Sequence, residues 1–228
     1  MQFDVLTLFP DMIYNYCDDS ILGRAQKNKH IRVKAHNFRE YTLNKQRHVD
    51  DRPYGGGAGM VLMAEPILRT LSAIKKSKQS KVVILSAKGK RFNQKMAYDW
   101  SKKYDQLILI CGRYEGIDER VKSALHAEEV SIGPFVLTDG DVAAMAIISA
   151  VARLVPGVIK LESLTEESHW NLLLKKEAAA AADTSGLEYP HYTRPEVLEY
   201  KGKKYRVPKV LLSGNHELIQ KWRKQKSE

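Results

Sequence analysis

Arg113, Tyr114 and Glu115 stand between Gly112 and Gly116, where the apolar run Leu107-Ile108-Leu109-Ile110-Cys111 ends. A turn alone requires none of the three. Glycines let a backbone approach a bound molecule closely, and a carboxylate beside them can accept a hydrogen bond or a proton. Two further segments share the pattern. LSAKGKRFNQ (85–94) reads as a strand end turning through Gly89 into cations, and SIGPFVLTDGDVAAM (131–145) sets two glycine turns around an apolar PFVL. Asp141 in the latter is suited to cap the following helix. DDRPYGGGAGMVL (50–62) has four glycines in five positions, a run that is costly to order unless something approaches it. It is neither a P-loop nor a dinucleotide fingerprint, because the required lysine, helix opening and acidic residue are missing.

The elements that must position these segments follow from periodicity. Apolar runs at 3–9, 31–38, 82–87 and 107–112 predict strands, and PDMIYNYCDDSILGRAQKN, EPILRTLSAIKKS and NQKMAYDWSKKY predict helices between them. Strand alternating with helix predicts an α/β fold with a mostly parallel sheet, whose ligands bind beyond the carboxyl ends of the strands. VAAMAIISAVARLVP (142–156) is the most apolar helix, stopped at Pro156-Gly157. Residues 1–160 form the first domain on this reading, 161–186 a linker with an alanine run, and 187–228 a small basic domain ending in a helix from about Glu217.

A hydrophobic fraction of 43% supports a real core, and a net charge of +10 favours a polyanionic partner, nucleic acid before membrane. Residues 171–228 carry 12 Lys and Arg against 7 Asp and Glu. Cys17 and Cys111 are isolated, so neither a disulfide framework nor a metal cluster is expected. No membrane span or signal peptide is read from the sequence, which places the chain in the cytosol.

GRYEGIDERV, DDRPYGGGAGM, SIGPFVLTDGD, ARLVPGV, YPHYTRPEV and VLLSGNH occur in the order and context that resemble the bacterial tRNA (guanine-N1)-methyltransferase family, of the SPOUT class. The resemblance runs from residue 1 to about 223. It implies a homodimer with a deep trefoil knot at about 82–156, a small mainly helical C-terminal tRNA-binding domain, and methyl transfer from S-adenosylmethionine to the guanosine immediately 3′ of the anticodon. The implied cofactor residues are Leu85, Ser86, Ala87 and Gly89; Gly112, Arg113, Tyr114, Glu115 and Gly116; and Ser131, Ile132, Gly133, Phe135, Val136, Leu137, Thr138 and Gly140. Arg113 and Tyr114 also read as packing or RNA contacts, with the Tyr114 ring expected to be buried. For the substrate, the resemblance implies Asp50, Gly55, Gly56, Gly57, Glu115, Gly116, His191, Tyr192, Arg194, Ser213, Asn215 and His216.

Guanine N1 carries a proton, so a general base is required. The resemblance assigns it to Glu167 or, if the alignment slides, to Asp183, and assigns Arg153 to the charge that develops on O6. Arg153 reads equally as a cation at a helix C-terminus, and LSGNHE as a helix cap. Ala87-Lys88 and Asp139-Gly140-Asp141 depart from the family's Pro-Gln and Gly-Gly-Glu. Magnesium is raised as an accessory ion, although no carboxylate cluster demands it. Three alternatives stay open: a SPOUT relative acting on ribose or another base, an RNA-binding module without catalysis, and a nucleotide-binding protein built on GGGAG.

Overall fold

The computed structural model describes residues 1–160 and 189–227. The chain divides into two compact units, Met1–Lys160 and Leu161–Glu228. The first runs β1 (Gln2–Thr7), α1 (Pro10–Cys17), α2 (Ser20–Lys27), β2 (Arg32–Asn37), β3 (Asp50–Asp51), β4 (Val61–Leu62), α3 (Ala64–Ala73), β5 (Ser80–Arg91), α4 (Gln94–Lys103), β6 (Gln106–Cys111), α5 (Glu119–Leu125), β7 (Glu128–Ser131) and α6 (Asp141–Ala152). β2, β1, β6, β5 and β7 form, in that order, one sheet in which every neighbouring pair is parallel. β6 is buried throughout, as a strand covered on both faces must be. Ile108 and Ile110 face the α3 side with Leu6, Phe38, Ile67 and Leu71. On the other side α6 packs against β1, β6, α1 and α4. Its buried Ala143, Ala144, Ile147, Ile148, Val151 and Ala152 recur at helical spacing and form the stripe that contacts the sheet.

Three elements differ from expectation. The segment after β1 is two helices, because Ser20 takes a positive φ of 51° and the Asp19 carboxylate caps α2 by accepting its N–H. β5 does not end at Gly89 but continues to Arg91. Leu85 and Lys90 both pair with Val130, so residues 86–89 leave the ladder as a wide bulge. β7, which has no apolar run, completes the sheet edge, with Lys81 Nζ 2.6 Å from Glu128.

Beneath the amino end of the sheet, the buried Asp4 carboxylate accepts from Gln2 (2.7 Å) and Gln106 (2.8 Å) and pairs with His36 Nε2 (2.8 Å). Burial pushes its pKa up, but the bonds from His36, Gln106 and Gln2 outweigh this and hold it below the ordinary 3.8. A depressed carboxylate contributes stability above its unfolded pKa and loses it as pH falls through the folded one. Asp4→Asn is therefore expected to cost about 2 kcal/mol at pH 7. In urea unfolding, that deficit should shrink below pH 3.8.

In the second unit, β8 (Val197–Tyr200) and β9 (Lys203–Arg206) form an antiparallel hairpin, followed by α7 (Lys209–Leu212) and α8 (His216–Lys226). Among the described residues this unit is therefore helical only from Lys209 onward, where the resemblance implies a mainly helical domain. The hairpin turns on Lys201 and Gly202, both at positive φ, as a tight two-residue loop requires. Asn215 caps α8 by accepting the Leu218 N–H, and the Arg223 guanidinium lies 4.6 Å from the Tyr189 ring centroid. No helix of the described residues is long and apolar enough to cross a membrane.

Candidate active site

The carboxyl ends of β5, β6 and β7 release the bulge 86–89, the loop 112–118 and the loop 131–140, and these enclose a cavity of about 420 Å³. That is the size of a small-molecule site at the place where an open parallel sheet provides one. The loops are tied together by backbone. Gly140 N–H donates to Gly112 O at 2.8 Å, and a β carbon at Gly140 would lie 2.7 Å from Gly112 N, so only glycine permits this approach. Gly89 is constrained likewise, with a β carbon there falling 2.4 Å from Val130 N.

All the implied cofactor residues line the cavity except Gly89 and Gly133. Gly89 abuts β7, and Gly133 faces the Phe135 ring. Ile132, Phe135, Val136 and Leu137 form an apolar wall, on which Phe135 and Val136 are exposed. The glycine-rich segment joins the same site. Glu115 N–H donates to Met60 O (3.0 Å), Leu62 N–H to Gly116 O (3.0 Å), and Asp50 pairs with Leu62. Gly59 lies under the Glu115 side chain, where a β carbon would meet Oε1 at 2.4 Å. Asp50, Gly55, Gly56 and Gly57 are therefore on the segment stitched to Glu115 and Gly116.

Two residues do other work than their sequence positions suggest. The Tyr114 ring is exposed, not buried, on a backbone at φ 57°. Asp141 does not cap α6. Asp139 does, accepting from the N–H groups of Asp141 (3.0 Å) and Val142 (3.2 Å). The Asp141 carboxylate is instead fully buried, accepts from Thr7 Oγ1, and holds Arg113 Nη2 at 2.9 Å, with Asp139 at 3.7 Å from the same nitrogen. Arg113 also stacks 4.1 Å from the centroid of the Phe9 ring. Cys111, beneath, has its thiol pKa pushed well up by burial and by the Asp141 carboxylate.

Sequence reasoning missed a ring of charges on the cavity wall. Lys88 Nζ lies 3.3 Å from Glu119 and 3.4 Å from Glu129; Lys122 Nζ lies 3.3 Å from Glu119 and 2.6 Å from Glu129. The three-residue spacing of Glu119 and Lys122 was the only local signal. Lys88 is held above its ordinary pKa by Glu119 and then Glu129, and Glu119 below its own by Lys88 and then Lys122. The ring fastens the bulge to α5 and β7. Lys88→Gln is expected to weaken cofactor binding about two- to fivefold, the effect shrinking at high salt because Lys88 and Glu119 are exposed while Glu129 is mostly buried; calorimetric titration at two ionic strengths measures it.

Arg153 is elsewhere. It follows the last turn of α6, about 18 Å along the helix from Asp141, on a separate groove with Tyr16, Ile21, Ser149 and Ile159. His191, Tyr192 and Arg194 are exposed on the extended start of the described part of the second unit. Ser213 and Asn215 are engaged in starting α8, Ser213 Oγ donating to Val210 O (2.7 Å) and accepting from Asn215 N–H (3.2 Å), with His216 exposed as its first residue. Glu167 and Asp183, like linker 161–186, lie outside the described residues. Among the described residues no group of three or more His, Cys, Asp and Glu side chains could hold a metal ion.

A parallel α/β sheet whose strand-end loops enclose an apolar and charged cavity belongs to the class of open α/β proteins that take a small molecule at the carboxyl ends of their strands. Residues 1–228 match the family described as tRNA (Guanine-1)-methyltransferase TrmD, and the chain belongs to that family. Relatives named tRNA (guanine-N(1)-)-methyltransferase include those of Ruminiclostridium cellulolyticum, 47% identical over 100% of this chain and 91% of the relative. Those of Carboxydothermus hydrogenoformans and Clostridium beijerinckii are 48% and 49% identical, over 83% and 87% of their own lengths and all of this chain. The chain is thus an S-adenosylmethionine-dependent tRNA (guanine-N1-)-methyltransferase.

Proposed function

We propose that this enzyme methylates N1 of the guanosine immediately 3′ of the tRNA anticodon, working as a homodimer in the cytoplasm. The observation that carries the reading is the cavity, whose walls are the three loops that the resemblance assigns to the cofactor and to which the glycine-rich segment is stitched. The residues fit the group: backbone at 85–87, 112–116 and 131–140 supplies donors and acceptors, and Ile132, Phe135 and Leu137 supply an apolar cover for a purine. When bound, S-adenosylmethionine supplies an electrophilic methyl group on a sulfonium sulfur. Glu115, lying on Gly59, orients the guanine. Glu167 or Asp183 removes the N1 proton, worth roughly 10²–10⁴ in rate, and Arg153 offsets the charge on O6.

The position of Arg153 supports a dimer: it lines a groove at the far end of α6 from the cavity, so on this reading a second copy brings it to the reacting guanine. Exposed Phe9, Met12, Tyr16 and Ile21 on and beside α1 and α2 offer the apolar surface for such a contact. In the segment 82–156, the close passage of Gly140 behind Gly112 is consistent with the trefoil knot that the resemblance implies. Lys221, Arg223, Lys224 and Lys226 on α8 hold tRNA phosphates.

Radiolabelled S-adenosylmethionine with tRNA transcripts bearing guanosine or adenosine after the anticodon tests the reading. Transfer to the guanosine alone is expected. Label on ribose or another base establishes the relative, and tight binding without transfer the non-catalytic module.

A further inference from the structure

We propose that the amino-end edge of the first unit's sheet, opposite the cavity, is an additional RNA-phosphate surface that holds the body of the tRNA while its reactive base occupies the cavity. The inference rests on the tRNA reading given above. Lys75, Lys76 and Lys78 lie on the connection from α3 to β5, and Lys102 and Lys103 at the end of α4; all five are exposed.

The two connections are built as one surface. Gln106, buried at the start of β6, accepts the Ser77 N–H at 2.7 Å and donates to Lys75 O at 3.2 Å, while Asp105 N–H donates to Gln79 O at 3.1 Å. The nearby Asp105 carboxylate is taken by the Ser77 hydroxyl. Among the described residues none of the five lysines has a carboxylate within 4.0 Å, whereas Lys81, Lys88, Lys95 and Lys122 each do. Five like charges on two joined connections repel one another, and Asp105 is the one carboxylate those connections carry against them. Half-buried Tyr98 and Tyr104 lie under Lys102 and Lys103, at 5.5 and 5.4 Å from the ring centroids.

Size selects the partner. From Ser80 to Leu85 the strand covers about 17 Å between this edge and the cavity, too far for any nucleotide held in the cavity itself to reach. A folded RNA with one nucleotide in the cavity continues over that distance, and its phosphates are the polyanion that releases counterions on meeting lysines.

The test is tRNA binding across a salt series by the full-length enzyme, by a variant carrying Lys→Gln at all five positions, and by one carrying Lys→Arg at the same positions. The Gln variant is expected to bind on the order of tenfold more weakly at low salt, with the slope of log K against log salt shallower by at least about 2. The Arg variant should retain both. Unchanged S-adenosylmethionine affinity in all three shows that the fold is intact. Equal tRNA affinity and slope for the Gln variant overturn the proposal, as does loss of binding to phosphatidylserine vesicles with tRNA binding untouched. An unaltered enzyme that binds no tRNA overturns the underlying reading instead.

Discussion

Asp141→Ala is expected to destabilise the first unit by about 3–5 kcal/mol and to abolish S-adenosylmethionine binding. The carboxylate is fully buried, and its removal leaves Arg113 with only Asp139, 3.7 Å away, and Thr7 without its acceptor. An unmatched cation against the Phe9 ring would draw the 112–118 loop toward water and away from Gly140. Breaking one partner of such a pair costs more than replacing both with apolar groups of similar size. The double variant Arg113→Met/Asp141→Leu should therefore recover part of the loss. Urea unfolding and cofactor titration measure both effects, and a cost for Asp141→Ala below about 1 kcal/mol would rule out a structural role for the pair.

The second large effect falls on turnover. Of the two single variants Glu167→Ala and Asp183→Ala, one should lose about 10²–10⁴ in kcat while keeping its affinity for S-adenosylmethionine, and the other should lose little. Guanine N1 becomes a good nucleophile only as its proton leaves, so on the proposed reading the loss of its acceptor raises the barrier to methyl transfer without changing the residues that line the cavity. Single-turnover rates at saturating tRNA separate this from weakened binding. Equal, small losses in both variants would exclude both carboxylates as the base.

Much of this architecture was legible in the residues. Strands buried on both faces write themselves as apolar runs, so β5 and β6 are visible from Val82 and Leu107 onward, and β1 from Phe3 despite its buried Asp4. β7 was not, because two of its four residues are glutamates, tolerated at the edge by lysines on β5 and α5. The β8–β9 hairpin was hidden because Lys201-Gly202 is not the Asn-Gly or Asp-Gly that marks such turns. At the site, glycines marked the three strand ends whose loops line the cavity. The partners of those ends, Arg113 with Asp141 across 28 residues and Lys88 with Glu119 across 31, are products of tertiary packing that no local pattern encodes. The same holds for the exchange of capping duty between Asp139 and Asp141, two residues apart and chemically alike, which only burial tells apart.

Because Leu85 and Lys90 share one neighbour on the adjacent strand, the backbone of Ser86, Ala87 and Lys88 lies outside the ladder and forms a cassette tied to α5 and β7 through the Lys88 ion pairs. Exchanges at Ser86 and Ala87 would reshape the cavity wall while the sheet pairing on either side stays put. Gly89 marks the cassette's hard boundary, since the backbone on its far side leaves a side chain nowhere to go.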